Sequence, residues 1–377
     1  MSKVKKTFLI VFILILGGLG GIIGNRYFFP YISTTSLFSK YEFLKKSAED
    51  VTIINKTEQV YVKEETSIEK ISSKAASSVV NVLSYVEVSA KNKNIPTVFN
   101  NTTGTIITSD GLVMTYIENV ILNSKYKVIL QDGNAYEAEF LGADSYSNLI
   151  FLKINNGNLP VISFGNSDDS NPGEKIIAIG SSSKTFTNRY TSGLISTFDP
   201  TFSLSGKNVS YSDKMNGVFQ TDFSIDADQY YTGGPVVDYT GQVIGITGSN
   251  QKDFFFIPSN KVKKVIDKAL KGELENNVSL GIYYIPITKA YALSNNLKLE
   301  TGALVYSSSG QEGLAIISGS NGQKAGLKID DIVTAVNGEK VSLQNDLSDL
   351  LYKYKKGDKV ELTIQRNNQE MKIAVQF

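Results

Sequence analysis

The hydroxyl of Thr232 is the side chain whose neighbours most suggest chemistry. It sits in Tyr230-Tyr231-Thr232-Gly233-Gly234-Pro235, ahead of an apolar run and the segment Gly241-Gln242-Val243-Ile244-Gly245. An alcohol becomes a useful nucleophile only when a neighbour takes its proton as the new bond forms, and imidazole suits that task near neutral pH. The chain has no histidine and no cysteine. Imidazole catalysis, thiolate catalysis, disulfides and thiolate metal sites are therefore excluded together. A carboxylate such as Glu118 is too weak a base unless burial raises its pKa by several units. The lysines nearest in sequence, Lys214 and Lys252, have no motif that directs them at the hydroxyl and read as solvated loop residues. Asp222, Asp226 and Asp228 lie close together, but their spacing matches no calcium loop, so they too read as solvated loop. No metal and no other cofactor is expected. Thr232 itself reads as filling a tight turn before two glycines.

The elements around this turn are strands. From Val79 to about Phe256, apolar segments of four to eight residues alternate with turn signals, as in a sandwich or barrel. Lys127–Leu130, Leu149–Ile154, Lys175–Ile179, Gly193–Thr197 and Val243–Thr247 are among them, and Ser109-Asp110-Gly111 is one of the turns. A short helix over Ile68–Val79 opens this region. Pro258-Ser259 opens another helix, in which Val262, Val265, Ile266, Ala269 and Leu270 form one apolar stripe. The last hundred residues change character. Strands are expected from Leu280, at Gly302–Val305, Gly313–Ile317, Val360–Ile364 and Met371–Val375. Asn337-Gly338 is a two-residue hairpin signal. A helix with Ser342 as N-cap carries Leu343, Leu347, Leu350, Leu351 and Tyr354 on one side.

The N-terminus differs again. Lys3, Lys5 and Lys6 precede seventeen uncharged residues, Phe8–Gly24, at the short end of a membrane-spanning helix. No signal-peptide cleavage site is visible, and Tyr27, Phe28, Phe29 and Tyr31 suit a membrane–water interface. The lysines place the N-terminus in the cytoplasm and the rest of the chain outside it. Residues 1–32 thus read as stub and single-pass anchor, 33–66 as a linker with a helical stretch near Leu37–Ala48, and 67–274 and 277–377 as folded domains. A net charge of +1 supplies no long-range field, so nucleic acid is not an expected partner.

Residues from Ile68 onward resemble the HtrA family of trypsin-fold serine proteases with a C-terminal PDZ domain. The resemblance rests on GTIITSDGLVMT (104–115), DSYSNLIFLKI (144–154), FGNSD (164–168), GEKIIAIG (173–180), QTD (220–222), TGGP (232–235), GQVIG (241–245) and FIPSN (256–260), all in the family's order. It implies a mainly β fold, a chymotrypsin-like double barrel followed by an α+β PDZ domain. It also places the catalytic positions. The family's His falls on Glu118, its Asp on Asn148 and its Ser on Thr232, while the oxyanion-hole Gly falls on Tyr230. An amide cannot stabilise a developing imidazolium, and loss of one oxyanion donor alone costs roughly 3–4 kcal/mol. The triad is degenerate and the expectation is a pseudoprotease. A working Thr-centred endopeptidase and a surface structural or adhesion protein are the alternatives.

The PDZ part keeps what its resemblance requires. Peptides would add as a strand beside Ile282–Ile285, with a C-terminal carboxylate held by backbone N–H groups of Leu280, Gly281 and Ile282. Leu347 and Leu351 would wall the groove. The implied partners are exposed C-termini or unfolded segments, in a quality-control adaptor, a scaffold or a regulator of an active homologue. A trimer is the assembly the resemblance implies.

Overall fold

The computed structural model describes residues 3–24, 68–90, 93–182, 185, 187–205, 209–223, 228–250, 254–310 and 312–377. The linker over 33–66, the interfacial aromatics, Asp226 and Lys252 lie outside them. Two compact units divide the chain, Met1–Glu65 and Thr66–Phe377.

The first unit contains α1, Lys3–Ile23, whose side chains from Phe8 to Ile23 are exposed. At ~1.5 Å per residue its uncharged part reaches about 25 Å, below the ~30 Å of a hydrocarbon core. Among the described residues no helix is long and apolar enough to cross a membrane.

The second unit starts with α2, Ile68–Ala76, followed by the first barrel. Its strands are β1 (Val79–Ala90), β2 (Lys93–Ile106), β3 (Leu112–Tyr116), β4 (Lys125–Ile129), β5 (Ala135–Asp144) and β6 (Leu149–Ile154). They close in the order β1-β2-β3-β6-β5-β4. Every residue of β3 is buried, so the strand faces one barrel interior with one side and the second barrel with the other. Then come β7 (Lys175–Ser181), β8 (Asn188–Ser203), β9 (Ser210–Tyr211), β10 (Asn216–Thr221), the single turn α3 (Asp228–Tyr231), β11 (Pro235–Asp238), β12 (Val243–Ser249) and β13 (Phe254–Pro258). Six of these close the second barrel, β10-β13-β12-β11-β7-β8, and β9 does not belong to it. One core runs between the barrels and includes Met114, Tyr116, Phe151, Ile177, Val237, Ile246 and Phe255.

Helix α4, Ser259–Leu270, buries Val262, Val265 and Ile266 against that core. Leu270, expected on the same stripe, is exposed, because the helix ends there at a C-cap and Gly272 turns the chain away at φ +68°. The remaining sheet uses β14 (Tyr283–Pro286), β15 (Ala303–Val305), β16 (Ile332–Val336), β17 (Glu339–Lys340), β18 (Lys359–Arg366) and β19 (Gln369–Gln376). Short helices α5 (Lys289–Ser294), α6 (Glu312–Ala315), α7 (Asn321–Lys324) and α8 (Leu347–Leu351) cover it. Asn337 and Gly338 both take positive φ, the two-residue turn their dipeptide favours.

Three local expectations change. Gly313–Ile317 is not a strand: α6 occupies most of it, and only Ile316 makes a β-bridge, to Ile282. The late helix starts at Leu347, with Asp346 and not Ser342 as its N-cap. Ser342 is already used in a turn, where its hydroxyl accepts from the Asn345 N–H at 3.1 Å. The strand expected from Leu280 begins at Tyr283, since Gly281 at φ +71° breaks extended geometry.

The expected boundary at 274–277 falls within one compact unit. Tyr146 of the first barrel stacks on Tyr352 with ring centroids 4.1 Å apart. Asn216 donates to the Tyr284 hydroxyl at 2.6 Å and to Asp346 at 2.9 Å, and Lys261 pairs with Asp349 at 2.8 Å. Strand β9 leaves the barrels altogether and pairs antiparallel with β14 at the sheet's edge.

Candidate functional site

The three residues expected at the triad positions each lie in a different local setting. Glu118 sits exposed on the one-turn 3-10 helix Ile117–Asn119 that follows β3. Asn148 occupies the β5–β6 turn at φ +62°, a left-handed conformation that Asn tolerates better than most residues. Its Nδ2 donates to the Tyr116 hydroxyl at 3.3 Å, and its Oδ1 accepts from Lys214 Nζ at 2.6 Å. Thr232 is 1% exposed, and its hydroxyl donates to Ser249 Oγ at 3.2 Å.

Tyr116 was not singled out by sequence, yet it stands between these positions. Its ring meets Phe255 edge-on, with centroids 6.2 Å apart, and packs so close to Gly248 that a Cβ there would lie 3.1 Å from it. Burial, with the nearby Glu118 charge, pushes its phenol up to about 12 although the Asn148 bond pulls the other way. The signal available was its place directly after Thr115, where a strand buried on both faces ends.

Lys214 corrects an expectation. It is half-buried rather than solvated, and desolvation lowers its pKa, with Asp144 and Asp213 opposing. Burial against the Asn148 amide explains the difference. Asp222 is exposed, and its carboxylate accepts from the Leu194 N–H at 2.7 Å. Among the described residues no group of three His, Cys, Asp or Glu side chains gathers into a metal site.

The turn at Thr232 is fixed from several directions. The Tyr230 carbonyl accepts from Thr103 Oγ1 at 2.6 Å, and Gly180 lies so close beneath it that a Cβ would come within 2.1 Å. The Gly233 N–H donates to the Thr247 carbonyl at 2.9 Å, and the Gly234 N–H to the Tyr231 carbonyl at 2.8 Å. Arg189 lies over the Tyr230 ring, 4.2 Å from its centroid. Tyr230 is the third residue of the single-turn helix α3.

The second candidate site is the edge of β14. Gly281 turns the backbone so that the Leu280 and Gly281 N–H groups converge on one oxygen of Asp213, each at 3.2 Å. The Ile282 N–H donates instead to Ser212 Oγ at 3.1 Å. Leu280, Ile282 and Leu347 have their side chains wholly in the sheet core. Leu351 also belongs to that core and lines a small cavity of about 80 Å³ beside Asp213, together with Ser348 and Tyr352.

Comparison with known proteins agrees with this architecture. Residues 97–246 match the trypsin-like peptidase domain family and residues 277–377 the PDZ domain family. A trypsin-like domain joined to a PDZ domain is the class of protein these features define. Within it the chain is HtrA-like. It is 30% identical over 279 residues to the serine protease HTRA1 of Xenopus tropicalis, covering 72% of this chain and 58% of that one. To the serine protease Do-like HtrA of Bacillus subtilis (strain 168) it is 34% identical over 262 residues, covering 66% and 56%. The chain thus spans just over half the length of these curated relatives. The solved structure of the HtrA-type protease AlgW with a decapeptide superposes with TM-score 0.60 at 22% identity, over 81% of this chain and 96% of that one. AlgW with a tripeptide gives 0.61 at 23%, over 81% and 95%. These structural likenesses speak for the fold.

Proposed function

We propose that this HtrA-like protein is a pseudoprotease, a trypsin-like body without hydrolytic activity whose PDZ groove binds C-terminal or unfolded peptide segments. The observation that carries the reading is Thr232, 1% exposed and bonded to Ser249 in a chain without imidazole. A nucleophile has to reach a substrate carbonyl and hand its proton to a base, and this residue is poorly placed for both. Catalytic groups act as a unit, so loss of several leaves little beyond binding. Peptide binding is supported by the PDZ fold, by backbone donors aimed at a carboxylate, and by the peptide complexes of AlgW.

Incubation of the full-length protein with unfolded casein and, separately, with a fluorophosphonate reagent tests the catalytic half. We expect no cleavage and no label at Thr232. Cleavage that disappears in Thr232→Ala overturns the reading.

One observation favours the alternative of a working endopeptidase. Lys214 is half-buried with a lowered pKa, as a lysine base would be, although its ammonium donates to the Asn148 amide. Cleavage abolished by Lys214→Met would select that alternative.

The same proposal makes α1 a membrane anchor, with the folded unit outside the cytoplasm. Its exposed apolar side chains and preceding lysines support this, and a span this short calls for a thin bilayer or for a contribution from the aromatic segment after it. Assembly as a trimer and pairing with an active homologue belong to the proposal as well, and analytical ultracentrifugation of the detergent-solubilised protein tests the first.

A further inference from the structure

The groove beside β14 already holds a strand, β9, which lies in the chain between the barrel strands β8 and β10. Tyr211 lies opposite Tyr283 and Ser210 opposite Tyr284, in antiparallel register. The Ser212 N–H donates to the Ile282 carbonyl at 3.0 Å, and Ser212 Oγ accepts from the Ile282 N–H at 3.1 Å. The Tyr211 and Tyr283 rings stack with centroids 4.8 Å apart. Where a bound peptide would end, the chain turns: the Lys214 N–H closes onto the Tyr211 carbonyl at 3.0 Å. The Asp213 carboxylate then stands in for a chain terminus. It accepts from the Leu280 and Gly281 N–H groups, and its other oxygen accepts from the Ser279 hydroxyl.

We propose that Ser210–Asp213 is an internal ligand of the PDZ groove, so that a foreign C-terminus binds only when this segment leaves. The inference rests on reading the groove as a peptide site. Strand addition plus capture of a carboxylate by backbone N–H groups is one recognition mode whether the carboxylate ends a chain or a side chain. The fit is imperfect in one respect. Ser210 is 1% exposed and its hydroxyl has no hydrogen-bond partner among the described residues. That unmet bond favours release, because water would satisfy it. The small cavity next to Asp213 is walled partly by Ser212 and Asp213 themselves, which leave with the segment, and partly by Val278, Leu351 and Tyr352, which stay and favour an apolar last side chain.

The residue that follows the segment, Lys214, reaches Asn148. Release from the groove therefore loosens the residue expected at the family's Asp position as well.

The test uses the absence of native cysteine. Directly opposed residues of antiparallel strands have Cα atoms about 4.5–5.5 Å apart, within disulfide reach. In the full-length double variant Tyr211→Cys, Tyr283→Cys, mild oxidation is expected to consume both thiols. The probe is a set of fluorescein-labelled peptides ending in Ala or Val with free carboxylates, alongside amidated copies. Binding is expected in the reduced form, at least about tenfold weaker in the oxidised form, and absent for the amides. A groove that is open only a small fraction of the time weakens apparent affinity by that fraction. Asp213→Ala should therefore bind the same peptides about tenfold tighter or more than the unaltered protein. Thiols that stay free, or oxidised and reduced forms that bind equally, overturn the internal ligand. A disulfide that forms in a protein whose Asp213→Ala variant binds none of the peptides leaves the segment docked and removes the peptide-binding reading instead.

Discussion

Lys214 Nζ lies 2.6 Å from Asn148 Oδ1, and that bond holds the residue expected at the family's Asp position. An amide can accept from an ammonium with one end and donate to the Tyr116 hydroxyl with the other, and Asn148 does both. A carboxylate could only accept. The residue before Lys214 is Asp213, which accepts from the Leu280 and Gly281 N–H groups in the PDZ part. Two consecutive residues of one loop thus hold both candidate sites, and the loop has become a structural tie.

Restoring the family's side chains should not restore proteolysis. In the combined variant Glu118→His, Asn148→Asp, Thr232→Ser, the position of Thr232 stays buried and Tyr116 still fills the space beside residue 148. Casein cleavage is expected to remain at background. A rate that rises clearly above that of the unaltered protein would mean the pocket between the barrels is open enough for substrate.

Tyr116 should behave as a core residue. Tyr116→Phe keeps the ring and removes only a hydroxyl bonded to Asn148, for a cost of about 1 kcal/mol. Tyr116→Ala removes a ring packed against Phe255 and Gly248 and should cost about 3–5 kcal/mol. Urea unfolding monitored by circular dichroism measures both. Equal effects would argue that the phenol, and not the packing, is what matters.

Locally encoded elements are legible in the sequence, and elements that depend on distant partners are not. Strand β6 falls at Leu149–Ile154 as expected, because an apolar run bounded by turns identifies a buried strand locally. The Asn337-Gly338 turn follows from backbone preference alone. Strand β9 could not be found this way. It is two residues long, without an apolar pattern, and exists only because β14, some seventy residues later, offers it an edge. Lys214 looked like any loop lysine because its burial depends on Asn148, which is distant in sequence. Leu347 was expected as a wall of the groove and its side chain lies in the sheet core, since an apolar residue gives the same signal in either role. Gly281 was legible as a backbone position, and what its amides hold was not.

Gly281 is the position where a single methyl group should do the most damage. At φ +71° an L side chain is strained, and a Cβ would lie 2.5 Å from Ser320 Cβ. Strain and clash together should make Gly281→Ala cost about 2–3 kcal/mol. The N–H groups that hold Asp213 would also be misdirected. Hydrogen exchange over Ser210–Asp213 should rise in this variant beyond what its lower global stability explains. Unchanged protection there would show that the segment is held by its strand pairing alone.

Asp346 makes stability depend on pH. It is buried, and burial raises its carboxyl above the ordinary value of 3.8, with the Asp349 charge adding to the effect. Hydrogen bonds from Tyr284 and Ser348 oppose the rise without cancelling it. A carboxyl whose pKa is higher folded than unfolded favours the fold in its protonated form. Its contribution is therefore complete below about 3.8 and is lost as pH climbs through the raised value. Asp346→Asn removes that dependence while keeping the acceptor. Tyr284 Oη, Asn216 Nδ2 and both the N–H and hydroxyl of Ser348 all donate to the single oxygen Oδ1, which an amide also supplies. The stability of the variant relative to the unaltered protein should therefore increase as pH rises above 4 and level off once Asp346 is fully ionised. Urea midpoints from pH 3 to pH 8 give the curve. A difference that falls with rising pH would mean that Asp346 is stabilised as an anion, with Lys261, paired to Asp349 at 2.8 Å, supplying the compensating charge.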